Sequence, residues 1–230
     1  MTRKARAFAC KEDSFIKQTA LFNRFQASGA SWIEHYGWQI PASFGSVEAE
    51  SAGVRRAAGL TDLSWMIKLD LKGYGLKSPP AFGQGMLPWA LAPQHFLLTL
   101  EPSAREVAWE AVRALQTAGS DLSLPPPIYM TDVTSVYAHF LLAGPCSRDI
   151  LHKLTSLNLS ERSLPDLSCG ESSLAHVRAM ILRNDLKGIN AYHLLVSREY
   201  GESVWESVLH AGQEFQLAPF GLEAQQLLSA

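Results

Sequence analysis

From Gly37 to Gly73 the chain reads GWQIPASFGSVEAESAGVRRAAGLTDLSWMIKLDLKG, and few folds can begin this way. A Gly-Trp turn leads to Pro41. A helix-like run follows over residues 46–58, with Gly59 placed as its C-cap. Ile67, Leu69 and Leu71 then alternate with Lys68, Asp70 and Lys72, the period of a half-buried strand over 66–71. A turn, a helix and a one-sided strand in quick succession require a sheet with helices packed on it.

The rest of the chain extends that pattern. Asp13 or Ser14 can cap a helix over 13–35 carrying Phe15, Leu21, Phe22 and Phe25. Between Gly73 and Pro93, proline and glycine are frequent enough to exclude a regular element. Residues 95–100 (HFLLTL) predict a strand. Ser103 to Glu106 forms a capping-box pattern for a helix with Val107, Ala111, Val112 and Leu115 on one face, stopping at Gly119. Pro125-Pro126-Pro127 is stiff and cannot continue a helix, so it marks a linker dividing residues 1–124 from 125–230. Beyond it, strands are expected over 128–133, 137–142, 174–182 and 191–196. A helix opens at Gly144-Pro145 with Ile150, Leu151 and Leu154, and another over 202–213 buries Val204, Trp205, Val208 and Leu209. Apolar alternation implies sheets with one open face, hence an α+β fold rather than a parallel doubly wound one.

Composition narrows the function. A chain of 230 residues, 47% hydrophobic and 18% charged, can bury a large core. A net charge of -2 gives no reason to expect nucleic acid or an anionic membrane as partner. No stretch approaches the roughly 20 apolar residues of a spanning helix, and no apolar run follows the basic start, so the expected location is cytoplasmic. Cys10, Cys146 and Cys169 are widely spaced, with no CxxC or Cys/His pair, which supports neither a disulfide framework nor a metal site.

Three segments in order resemble the glycine cleavage T-protein (aminomethyltransferase) family. They are the Gly37–Gly73 stretch, then Leu141-Leu142-Ala143-Gly144-Pro145 with Arg148-Asp149-Ile150-Leu151, then Tyr192-His193-Leu194-Leu195-Val196 followed by Trp205 and Pro219-Phe220-Gly221-Leu222-Glu223-Ala224. The resemblance implies a T-protein-like folate-binding fold, with mixed or antiparallel sheets and flanking helices. The chain ends where the family would continue into a C-terminal barrel-like domain, so that domain is expected to be lacking. In length it is similar to the gamma subunit of heterotetrameric sarcosine oxidase. The Lys-Gly-Cys motif of tRNA-modifying relatives is absent, since Ile189 follows Lys187-Gly188.

The resemblance also implies a site. The family supplies a carboxylate near the reacting nitrogen from an Ile-Asp-Asp turn, yet no acidic residue lies between Gly73 and His95 here, which reads as a deleted catalytic hairpin. Its pterin-binding glutamate aligns with His193, and its Ala-Arg appears as Ala224-Gln225. A carboxylate accepts two donors side by side, whereas a neutral imidazole offers one acceptor. Trp65 and Met66 take the place of the family's pocket-lining His-Met pair. The degenerate folate pocket is therefore expected at Met66, Trp65, Tyr192, His193 and Gln225, with tetrahydrofolate binding weakened or lost and no identifiable catalytic residue. His139 and His193 also read as ordinary structural histidines, Trp38 as a packing anchor, Cys146 as inert, and Asp132 as the start of an Asp-x-Thr turn. Three functions stay open: a non-catalytic accessory subunit held by protein partners in a one-carbon or amine-oxidising hetero-oligomer, a tetrahydrofolate-dependent aminomethyl- or methyltransferase with relocated residues, and a module binding another planar molecule.

Overall fold

The structure is a computed structural model that describes residues 16–74, 76, 85–117 and 128–229. The Pro125–Pro127 linker, Cys10 and the proposed Asp13 or Ser14 cap lie outside these residues. The architecture is α+β, as the residue pattern predicts. Three sheets are present among the described residues. A three-stranded sheet has the order β1-β3-β2, from Lys17–Gln18, Trp38–Ser43 and Ser31–His35. A four-stranded antiparallel sheet runs β6-β7-β5-β8, from Met86–Ala92, His95–Leu100, Ile67–Lys72 and Tyr129–Asp132. A six-stranded sheet runs β10-β11-β12-β9-β4-β13, from Cys169–Leu174, Val177–Arg183, Ala191–Ser197, Tyr137–Ala143, Gly59–Asp62 and Ala218–Pro219. Elements from either side of residue 125 share both large sheets, β4 pairing with β9 and β5 with β8.

The two large sheets stack face to face with helices outside them. Period-two alternation sorts the side chains. On β9 and β12, Ala138, Phe140, Leu142, Tyr192, Leu194 and Val196 face a core shared with α4 (Ser147–His152) and α5 (Gly201–Gly212), which contribute Ile150, Leu151, Val204, Trp205 and Val208. Leu195 on the opposite face meets Trp89 and Leu97 of the four-stranded sheet. That sheet's outer face packs Leu69, Leu71, Leu98 and Leu100 on Ala108 and Val112 of α3 (Arg105–Thr117). A last core, including Trp38, Val54, Phe220 and Leu228, gathers α2 (Val47–Arg56), α6 (Leu222–Ser229) and the three-stranded sheet.

Several elements depart from the sequence expectations. The helix over 13–35 shrinks to α1 (Phe22–Ala27), flanked by β1 and β2. Gly29 takes φ +75°, and the amides of Gly29 and Ala30 donate back to Gln26 O (3.2 Å) and Phe25 O (3.1 Å), a Schellman closure that turns the chain into β2. Gly59 does not cap α2, which ends at Arg56 with Ala57 as its C-cap; it opens β4, where a Cβ would stand 2.4 Å from Val54 Cγ2 and 2.6 Å from Phe220 Cδ1. The segment read as irregular carries β6, and Pro88 is tolerated there because β6 is an edge strand. On α3, Val107 and Leu115 are exposed, and the buried stripe is Ala108 and Val112. Residues 174–182 form the turn of a hairpin and β11 rather than one strand, with Ala175 and His176 both at positive φ.

Candidate functional site

Between the stacked sheets and α6 lies a cavity of about 240 Å³. Its walls include Met66 in the turn after β4, Met86 on β6, Leu141 on β9, His193 on β12 and Gln225 on α6. Three residues predicted for the pocket, Met66, His193 and Gln225, therefore meet at one place. Trp65 and Tyr192 do not join them. Trp65 turns the other way, stacking edge-on against His35 (ring centroids 4.7 Å) and lining a separate cavity of about 770 Å³ with Tyr36, Trp38, Lys17, Arg105 and Arg198. Tyr192 neighbours His193 on a strand, so its ring goes to the helix-covered face, where it is fully buried and its hydroxyl accepts from Arg148 Nε (3.4 Å).

Behind the cavity runs a line of buried polar groups. In the β9–β12 register Leu141 faces His193 and His139 faces Leu195, so the two histidines are diagonal neighbours on the inter-sheet side. His139 Nε2 and His193 Nδ1 lie 2.8 Å apart, and the remaining ring nitrogens, His139 Nδ1 and His193 Nε2, have no partner. Burial drives the His139 pKa well below its usual value, with Lys68 and His193 adding to the effect, and lowers that of His193 to about 4. Both rings are neutral near pH 7. Lys68 is fully buried on β5 and donates to Ser64 O (2.9 Å); burial lowers its pKa to about 7 against the opposing pull of Asp62. Asp62 is raised by burial, although its Oδ1 accepts from the Ser64 amide (2.8 Å). Ser64 also ties this line to His139, whose backbone amide donates to Ser64 Oγ (3.1 Å).

Residues 86–100 form the β6–β7 hairpin, and β6 contributes Met86 and Leu87 to the cavity and no acid, while residues 75 and 77–84 of the segment read as a deleted catalytic hairpin lie outside the described residues. Among the described residues lining the cavity the only carboxylate is Glu101, exposed at the rim after β7. Its place directly after the apolar strand expected over 95–100 is the signal that the sequence offers for it. Gln225 Oε1 is buried without a partner, like His193 Nε2. The Asp132 turn forms as expected, Oδ1 accepting from the Thr134 amide (3.0 Å). Trp38 packs in the core beside α6, and Cys146 sits half-buried before α4. No group of three or more His, Cys, Asp or Glu that could hold a metal occurs among the described residues, and none of their helices is long and apolar enough to cross a membrane.

Comparison with known proteins places this geometry in context. Residues 84–230 match the GCVT N-terminal domain family. An aminomethyltransferase of Geobacillus sp. (strain WCH70) is 26% identical over 239 residues, covering 93% of this chain and 63% of the relative. An aminomethyltransferase of Desulfitobacterium hafniense (strain DSM 10664 / DCB-2) is 27% identical over 241 residues, with the same coverage. The chain thus spans 63% of the length of these relatives. In fold it is similar to the glycine cleavage system aminomethyltransferase T of Bartonella henselae, with a TM-score of 0.73 at 16% identity over 93% of this chain and 62% of that one. It is also similar to a chain of heterotetrameric sarcosine oxidase from Corynebacterium sp. U-96, with a TM-score of 0.55 at 21% identity, covering 74% of this chain and 92% of that one. With the family matched over most of its length and the fold agreeing, the chain belongs to the glycine cleavage T-protein family, through its GCVT N-terminal domain.

Proposed function

We propose that this chain is a T-protein-like accessory subunit without independent catalysis, working inside a hetero-oligomer of one-carbon or amine-oxidising chemistry. The observation that carries the reading is the lining of the cavity: methionines, leucines, Thr99, the neutral His193 and the amides of Asn184 and Gln225, with no buried carboxylate among the described lining residues. Stabilising a developing cation on nitrogen, and pairing with two adjacent pterin donors, both call for a carboxylate. The likeness to almost the whole length of a chain from a heterotetrameric oxidase supports an assembled role. Tetrahydrofolate, the cofactor implied by the family resemblance, would be held weakly or not at all. Purification from the native source with stoichiometric partners retained is the expected result. A monomer by light scattering, with no co-purifying chain, would refute the reading.

A second reading rests on Glu101. Its carboxylate stands at the cavity rim, at the end of the strand that follows the expected acidic turn. In that case the chain is a tetrahydrofolate-dependent aminomethyl- or methyltransferase with a relocated acid, and Glu101→Gln would abolish turnover while leaving the fold intact.

A further inference from the structure

The larger cavity, of about 770 Å³, is separate from the site around His193 and shares no lining residue with it. It lies where the β2–β3 hairpin meets the first residue of β5, the turn after β8 and the start of α3. Its charge is one-sided. Lys17, Arg105 and Arg198 line it, and Asp132 is the one carboxylate among its described lining residues. Asp132 is already engaged, accepting from Arg105 Nη2 (3.3 Å) and from the Thr134 amide (3.0 Å). The Lys17 ammonium stands 5.7 Å from the Trp38 ring centroid. Among the described residues, no carboxylate comes within ion-pair distance of Lys17 or Arg198. Glu199 and Glu202 border an adjoining recess with Arg198 without reaching that distance.

A strained tyrosine is the second, independent observation. Tyr36 and Gly37 form the two-residue turn between β2 and β3, with φ of 49° and 73°. Glycine adopts that conformation freely, whereas a bulky aromatic does so at a cost that Asn or Asp would largely avoid. Tyr36 is nevertheless 49% exposed. Its ring is held edge-on against His35 (4.4 Å), which in turn packs edge-on against Trp65 (4.7 Å). Trp38 and Trp65 are buried and floor the cavity, so Tyr36 is the aromatic ring left open beside the cations. Backbone strain spent on an exposed side chain at a cavity points to binding.

We propose that this cavity binds a small planar aromatic oxyanion, a carboxylate or a phosphate, with its ring stacked on Tyr36 and its charge met by Lys17 and Arg198. A guanidinium can fork onto two oxygens of either group, and the Tyr36 ring is oriented in advance by His35. The volume accommodates a bicyclic ring system. This inference goes beyond the accessory reading and holds whether the chain acts alone or in an assembly.

Naphthoate and naphthyl phosphate are titrated into the whole ¹⁵N-labelled chain, with neutral naphthol and the saturated decalin carboxylate as controls. The tighter of the two anions assigns the ligand class. That anion should bind at least about tenfold more tightly than naphthol, and naphthoate about threefold more tightly than decalin carboxylate. Amide and indole shifts should centre on Tyr36, Trp38 and Arg198 rather than on Met66 and Gln225. Arg198→Gln should weaken the anion about tenfold and leave naphthol unchanged. Tyr36→Asn should weaken every aromatic probe about threefold while the denaturation midpoint holds or rises, because Asn tolerates positive φ. No response to either anion, equal affinity for naphthol, or shifts centred on Met66 would overturn the inference. So would unchanged binding in a folded Arg198→Gln or Tyr36→Asn chain, or a lowered midpoint in Tyr36→Asn, which would mean that the tyrosine serves stability.

Discussion

Acid should unfold this protein partly through its buried histidine pair, and the size of that effect can be worked out. His193 titrates at about 4 in the folded chain and at 6.5 when exposed, with desolvation as the cause. The unfolded state then binds more protons between those values, so this contribution to stability is intact above pH 6.5 and is lost progressively down to about pH 4. At about 1.4 kcal/mol per pH unit across that window, His193 alone removes about 3 kcal/mol. His139, lowered further by burial and by Lys68, adds a loss of the same sign. Asp62, whose carboxyl is raised, acts in the opposite sense, but equally in any protein that keeps it. The comparison is urea unfolding of wild type and of His139→Leu/His193→Leu from pH 7 to pH 4. Replacing both partners by apolar groups of similar volume leaves stability near neutral pH within about 2 kcal/mol. On acidification the wild type should lose at least about 3 kcal/mol more than the double variant. Parallel curves would refute the reasoning, because they would mean that the pair is hydrated or already charged.

Other expected outcomes test the frame around the site. Gly144 has φ +128°, and a Cβ there would stand 2.5 Å from Ala57 O and 2.6 Å from Ala58 Cα; Gly144→Ala should therefore cost about 3 kcal/mol or more, read as a shift in denaturation midpoint. Trp205 is buried edge-on against Phe25 (5.1 Å) and Phe140 (5.3 Å), so Trp205→Ala should cost about 3–5 kcal/mol in calorimetry without changing any ligand preference of the cavity. Arg183 is almost fully buried and donates to Asp185 (3.0 and 2.7 Å) and to Leu164 O (3.1 Å); Arg183→Met should cost about 2 kcal/mol, with amide exchange rising first around residues 184–190.

Much of the fold was legible wherever the sequence kept a clean period. The alternation of Ile67, Leu69 and Leu71 gave β5, and the apolar stripe of Val204, Trp205 and Val208 gave α5. It failed where an unusual residue carried a turn. Ala175 and His176 both take positive φ, a conformation normally signalled by Asn-Gly, so the β10–β11 hairpin was hidden. β6 was obscured because Pro88 reads as a breaker unless the strand is known to be an edge. The site was legible at Met66, His193 and Gln225 because aligned motifs converge in three dimensions. Tyr192 diverges because neighbours on a strand point opposite ways, a geometric rule that a linear motif conceals, whereas Trp65 lies in the turn between β4 and β5 and packs on His35. The pairing of His139 with His193 depended on strand register, which only the folded sheet supplies.

The central claim is that this T-protein frame encloses a cavity whose buried walls no longer carry the charge that folate chemistry requires. Calorimetric titration of the purified chain with tetrahydrofolate tests it directly. With two charge-assisted hydrogen bonds lost, the account predicts a Kd no tighter than about 100 µM. A Kd of about 1 µM that disappears in His193→Ala would contradict it.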